Sequence, residues 1–146
     1  MEVDIMDDHL SRQEQKRRKE LSDQARATIV RALPVEDADD SCVMLGFEGF
    51  YLQIAFSPLH PLMVFYLARG LDRPSTQKDR RLINDLNLKS VLGSHALNDE
   101  VGCYSYRTAH WLDCELTAER FLEMLERCAE EAKRAYSQLA EAHSFS

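Results

Sequence analysis

A chain of 146 residues with 45% hydrophobic content is the size of one domain built on a single core, and its net charge of −7 argues against a surface made to neutralise nucleic-acid phosphates. Folding at this length buries about 70% of the surface that the unfolded chain exposes, enough for stability without disulfides or metal. No run approaches the roughly 20 apolar residues of a membrane span, and the first residues lack the apolar stretch of a secretion signal, so the cytoplasm is the expected compartment and no membrane insertion is expected.

Residues 11–20 carry no apolar side chain, whereas Leu21, Ala25, Ile29, Ala32 and Leu33 recur near helical spacing before Pro34. A first helix that docks only through its second half is expected, with 1–19 a solvated leader to a single domain spanning 1–146. The basic run Lys16 to Lys19 sits between Glu14 and Glu20, with Glu14 four residues before Arg18, as on a solvated, ion-paired helix face. Val35 to Ser41 reads as an acidic loop through Glu36, Asp37, Asp39 and Asp40, without the central Gly and closing Glu of a calcium loop.

Cys42 to Phe47 and Phe50 to Phe56 predict a hairpin turning at Glu48-Gly49, with Phe50, Leu52, Ile54 and Phe56 on its core face. Pro58 and Pro61 interrupt the chain before Leu62 to Ala68, a strand apolar on both faces. Helices of one chain this size cover one sheet face, so a face built on Met63, Phe65 and Leu67 calls for a second cover, either a homodimer mate or bound protein, or else the first helix or a loop.

The Asp72 to Thr76 cluster predicts a turn and an N-cap, leading into a helix that buries Leu82, Ile83, Leu86 and Leu88 and ends at Gly93. Asn84 and Asn87 share one face of it. Since Asn is a mediocre helix former, the pair points to hydrogen bonds with a neighbouring element or a partner, or to a solvated surface. His95 to Asn98 and Val101 to His110 predict a second hairpin about Asp99-Glu100, with Tyr104, Tyr106 and Thr108 on one face. Those tyrosines and Trp111 suit a binding surface or the completion of a core. The last helix opens at the N-cap Thr117, with Leu116 and Phe121 as a hydrophobic staple. It buries Phe121, Leu125, Cys128, Ala132, Ala135 and Leu139, and its length requires that its end overhang or pack elsewhere.

Cys42, Cys103, Cys114 and Cys128 form no C-x-x-C, and no Gly-rich phosphate loop or G-x-S-x-G elbow is present. No cofactor or metal is implied. Catalysis would need Cys103 or Cys114 as nucleophile with His110 as base, which requires a sharp turn near Leu112-Asp113.

The element string is α-β-β-β-α-β-β-α: an α+β fold with an antiparallel five-stranded sheet whose helices cover one face. Ile83-Asn84-Asp85-Leu86-Asn87, Gly102, Tyr106-Arg107, Leu116-Thr117, Phe121 and Leu125 resemble the YbjN family of bacterial proteins, described as proposed sensory transduction regulators with a type III secretion chaperone-like fold. The resemblance covers about Ser41 to Leu139 and implies a non-enzymatic, homodimeric module of the bacterial cytoplasm. Class I type III secretion chaperones, small acidic homodimers that hold an effector segment, are similar in size and charge. Capture of a polypeptide segment at a sheet edge or in an apolar groove is the expected activity. The expected partner-binding residues are Met63, Phe65, Leu67, Asn84, Asn87, Tyr104, Tyr106 and Trp111. The alternatives are an effector chaperone, a structural subunit of a larger complex, or a Cys/His enzyme.

Overall fold

A computed structural model describes residues 11–39, 41–57 and 60–144 of the chain. The first ten residues of the expected leader, Asp40 of the acidic connector and Pro58 fall outside that set. The elements run α1 (Arg12–Ala32), β1 (Asp37–Ala38), β2 (Cys42–Phe47), β3 (Phe50–Phe56), β4 (Leu62–Gly70), α2 (Gln77–Lys89), β5 (Ser94–Asn98), β6 (Cys103–Trp111) and α3 (Ala118–Ser144).

The strands form one antiparallel sheet in the order β1-β2-β3-β4-β6-β5, six strands where five were expected. The extra one is the acidic connector. Asp37 and Ala38 pair with Met44 and Val43, while the Glu36 and Asp39 N–H groups donate to the Met44 and Cys42 carbonyls at 2.9 Å. Two charged-flanked residues have no alternation to betray a strand, and charge on an edge strand is what discourages further pairing.

The β2–β3 turn places Glu48 (φ 49°) and Gly49 (φ 88°) in the left-handed region, as a tight two-residue hairpin requires. From there the alternation holds across the sheet. Val43, Leu45, Phe50, Leu52, Ile54, Met63, Phe65, Leu67, Tyr104 and Tyr106 point inward and are buried beneath the helices. The stripe of α3 that meets them is Phe121, Leu125, Cys128, Ala132, Ala135 and Leu139, joined by Ala25 and Ile29 of α1. Phe65 packs edge-on against Phe121, ring centroids 6.0 Å apart.

α1 begins earlier than its apolar pattern does. Ser11 accepts the Glu14 N–H at 3.0 Å, and Glu14 pairs with Arg18 at 2.8 Å and Arg17 at 3.2 Å, so the polar half is helical yet faces solvent. In α2 the capping box is complete, with Thr76 and Asp79 exchanging hydrogen bonds. Two expectations about this helix are corrected. Leu88 is exposed, because the helix ends at Lys89 and turns it off the core. Gly93 is not the cap. It lies past Ser90, where a Cβ would sit 2.5 Å from the Arg107 carbonyl oxygen and 2.7 Å from the Tyr106 ring, so glycine serves a close crossing over β6.

α3 has 27 residues, about 40 Å at 1.5 Å per residue, and its far end is tied down. Arg73 donates to the Leu139 carbonyl at 3.1 Å and Lys78 to that of Ala142 at 3.0 Å.

Candidate binding site

Helices cover one side of the sheet, and the register fixes what lies on the other. Leu62, Val64, Tyr66 and Ala68 of β4 stand opposite Trp111, Ala109, Arg107 and Ser105 of β6, and opposite Ala55, Gln53 and Tyr51 of β3. This outer face is apolar or small over most of its area, a composition more usual beneath a cover than in water. Trp111 is 68% exposed and Tyr51 50%, at opposite ends of the face. Near its centre Arg107 lies over the Tyr66 ring, 5.7 Å from its centroid, and donates through Nε to the Tyr66 hydroxyl at 3.2 Å.

The strand through Leu62 to Ala68 is therefore two-sided, but the solvent-facing set is the other half of its alternation. Met63, Phe65 and Leu67, expected to need a partner, have 0% exposure and form the core under α3 and α1. The chain covers them itself because two of its helices pack on that face. Tyr104 and Tyr106 are corrected likewise, both at 0% exposure, while Trp111 and Asn84 remain on the surface. The residues missed were Leu62, Val64, Tyr66 and Ala109. Their signal was present: Phe65 pairs with Ile54 and Met63 with Phe56, so the face of Phe50 to Phe56 already assigned to the core carries Met63, Phe65 and Leu67 with it.

Asn87 bonds within the chain. Its side-chain amide donates to the His95 carbonyl at 2.9 Å and accepts the His95 N–H at 2.7 Å, taking the place of a neighbouring strand on the edge of β5. Strand addition there is blocked by α2, and the opposite edge is a two-residue strand.

Behind β5 lies a buried polar cluster. The Tyr104 hydroxyl is 2.7 Å from His95 Nδ1, and Tyr106 donates to Glu131 at 2.6 Å. Burial pushes His95 below and both tyrosines above their ordinary ranges. Burial opposes ionisation of Glu131 as well, but hydrogen bonds from Tyr106, Ser90 and the Gly93 and Val91 N–H groups hold its carboxyl below the usual range. That carboxylate fixes the α2–β5 loop, which presents Val91 and Leu92 to solvent at 88% and 50% exposure beside Leu88 of the last turn of α2 at 79%.

Cys103, His110 and Cys114 do not converge. Cys103 opens β6 and His110 lies seven residues along it, about 23 Å away in an extended strand, while Cys114 is exposed beyond the strand's end. His110 instead meets Thr108 Oγ1 at 2.9 Å and Cys128 Sγ at 4.0 Å. Burial pushes the Cys128 thiol up, which makes it a poor nucleophile.

No family model and no curated protein matches the chain. Solved structures do match its fold. YbjN from E. coli, a proposed transcription regulator, superposes with a TM-score of 0.63 at 16% identity, over 84% of this chain and 92% of that one. The ExoT–SpcS complex from Pseudomonas aeruginosa gives 0.51 at 16% identity, over 80% and 94%. The HopA1–SchA chaperone–effector complex gives 0.47 at 13%, over 77% and 90%. Its inward and outward faces and its helical layer thus give this chain the YbjN-like, secretion-chaperone-like fold that Asn84, Asn87, Tyr106 and Arg107 resemble in sequence.

Proposed function

We propose that this chain is a non-enzymatic protein-binding module, a chaperone-like or regulatory adaptor of the bacterial cytoplasm that acts as a homodimer and holds a polypeptide segment on the outer face of its sheet. The observation that carries this reading is the apolar outer face on which Ala109 and Trp111 are exposed and Leu62 and Tyr66 half-buried, with Val64 buried between them. Capture on the face is favoured over capture at an edge, because Asn87 occupies the β5 edge. Among the described residues no helix is long and apolar enough to cross a membrane.

The mate in the homodimer docks on the patch of Leu88, Val91 and Leu92. Leu88 on the last turn of α2 and Val91 and Leu92 on a loop pinned by Glu131 lose little entropy on docking, and a twofold contact brings the same patch to both partners. A narrower version, in which the held segment belongs to a secreted effector, draws its support from the fold shared with the ExoT–SpcS complex.

The test is bis-ANS binding and light scattering over a dilution series, on wild type, Trp111→Ser and Val91→Glu. The expected outcome is a dimer that binds the dye, a dimer with reduced dye binding for Trp111→Ser, and a monomer that still binds dye for Val91→Glu. A wild-type monomer that binds no dye overturns the proposal.

A further inference from the structure

This inference rests on the binding role proposed above and names the chemistry of the segment held. The centre of the outer face carries one charge, Arg107, set opposite Tyr66 on the neighbouring strand. The ring and hydroxyl of Tyr66 orient its guanidinium, which spends only Nε on that contact. Among the described residues no carboxylate pairs with it within 4.0 Å. Its outward neighbours are Tyr66, Ala109, Ser94 and Ser105, and an oriented guanidinium with terminal N–H groups to offer suits a carboxylate better than a neutral group, since a charge-assisted bond is stronger than a neutral one.

What flanks it says what else the ligand carries. Ala109 and Val64 lie one step along the strands, leaving a shallow floor, and Leu62 and Trp111 stand one step further. From Arg107 to Trp111 is four residues, about 13 Å along an extended chain. A segment running over the face can therefore set an acidic side chain at Arg107 and an apolar one against Trp111 at the same time. The apolar pair of Leu62 and Trp111 favours a polypeptide over a free phosphate, which has nothing to place there.

We infer that the outer face selects an extended segment in which an acidic residue is followed or preceded, about four positions away, by a large apolar one. This preference runs against the net charge of −7, so it is local and belongs to Arg107.

The chain has a single tryptophan, Trp111, so its emission reports occupancy of this face directly. The experiment titrates wild type, Arg107→Gln and Arg107→Glu with three otherwise identical synthetic twelve-residue peptides in which a Leu lies four positions from a single Glu, Gln or Lys. The expected result is a blue shift with the Glu peptide binding wild type roughly fivefold tighter than the Gln peptide. Arg107→Gln removes that difference and Arg107→Glu reverses it in favour of the Lys peptide. Both substitutions are at an exposed position, and circular dichroism confirms the fold. Equal binding of the Glu and Gln peptides, or no effect of either substitution, overturns the acidic preference while leaving the binding role standing. Failure of all three peptides overturns both. A blue shift on concentrating the protein without peptide assigns the face to a second copy and overturns the inference as well.

Discussion

Asp79→Ala removes a carboxylate whose side chain is 0% exposed at the start of α2. It accepts from Arg73 Nη1 at 2.6 Å, from Arg73 Nη2 at 3.1 Å and from the Thr76 N–H at 2.8 Å. Losing the capping half costs about 1 kcal/mol. Stranding a buried guanidinium costs about 3–5 kcal/mol, and since Arg73 keeps 25% of its side chain in water and its bond to Leu139, the low end applies. The total is about 4 kcal/mol, against a stability of about 5–15 kcal/mol for a domain of this kind. At a urea m-value of about 2 kcal/mol/M the midpoint falls by about 2 M, with the fold retained in water. Arg73→Met costs at least as much, because it leaves a fully buried carboxylate without its cation. The double variant loses about 2–3 kcal/mol less than the sum of the two, since the second change removes a charge already stranded. Strict additivity, or an Asp79→Ala midpoint within about 0.5 M of wild type, would refute the reading of this pair as a buried clasp.

Gly93→Ala drives a methyl group to 2.5 Å from the Arg107 carbonyl, costs about 2–3 kcal/mol and lowers Tm by about 8 °C in calorimetry. Asn87→Ala deletes both bonds to the His95 backbone and costs about 2 kcal/mol in urea unfolding, and Asn87→Asp costs at least as much at neutral pH, because it keeps the acceptor for the His95 N–H but sets a carboxylate oxygen against the His95 carbonyl. Burial lowers His95 and His110, the latter aided by Arg120, so the folded protein resists protons that the unfolded chain takes up near pH 6.5. Stability therefore falls as pH drops below about 6.5, by at most about 1.4 kcal/mol per pH unit for each histidine, and His95→Gln flattens the slope by up to one proton. An unchanged slope in that variant would show that His95 titrates alike in both states.

How much of this was legible depends on which force dominates each segment. The hairpin of Phe50 to Phe56 and the stripe from Phe121 to Leu139 are set by the partition of apolar side chains, and that periodicity is local. The role of Phe65 is not local. Both halves of Leu62 to Ala68 are apolar, and only the pairing of Phe65 with Ile54 decides which half meets the helices. The half of this strand that the helices leave uncovered is therefore the opposite one to Met63, Phe65 and Leu67. Asn87 was recognised as a side chain seeking hydrogen bonds, yet its partner is backbone eight residues on, fixed by how α2 folds onto β5. Asp37-Ala38 and the Arg73–Asp79 pair left no pattern to read, because one is a strand too short to alternate and the other a contact made by a turn.

The ties between α2 and α3 have a consequence for motion. α3 holds the start of α2 through Arg73 at Leu139 and its end through Glu131 at Ser90 and Gly93, two fastenings about 12 Å apart along one helix. A helix pinned at both ends cannot swing on its own, so α2, β5, β6 and α3 open to solvent as one cooperative unit, and their amides exchange last and together. The polar first half of α1 and the short β1 share no such fastening and exchange early. Whatever seats itself on the outer face lies against the slow unit at β6, and binding there leaves the early exchange of α1 and β1 unchanged.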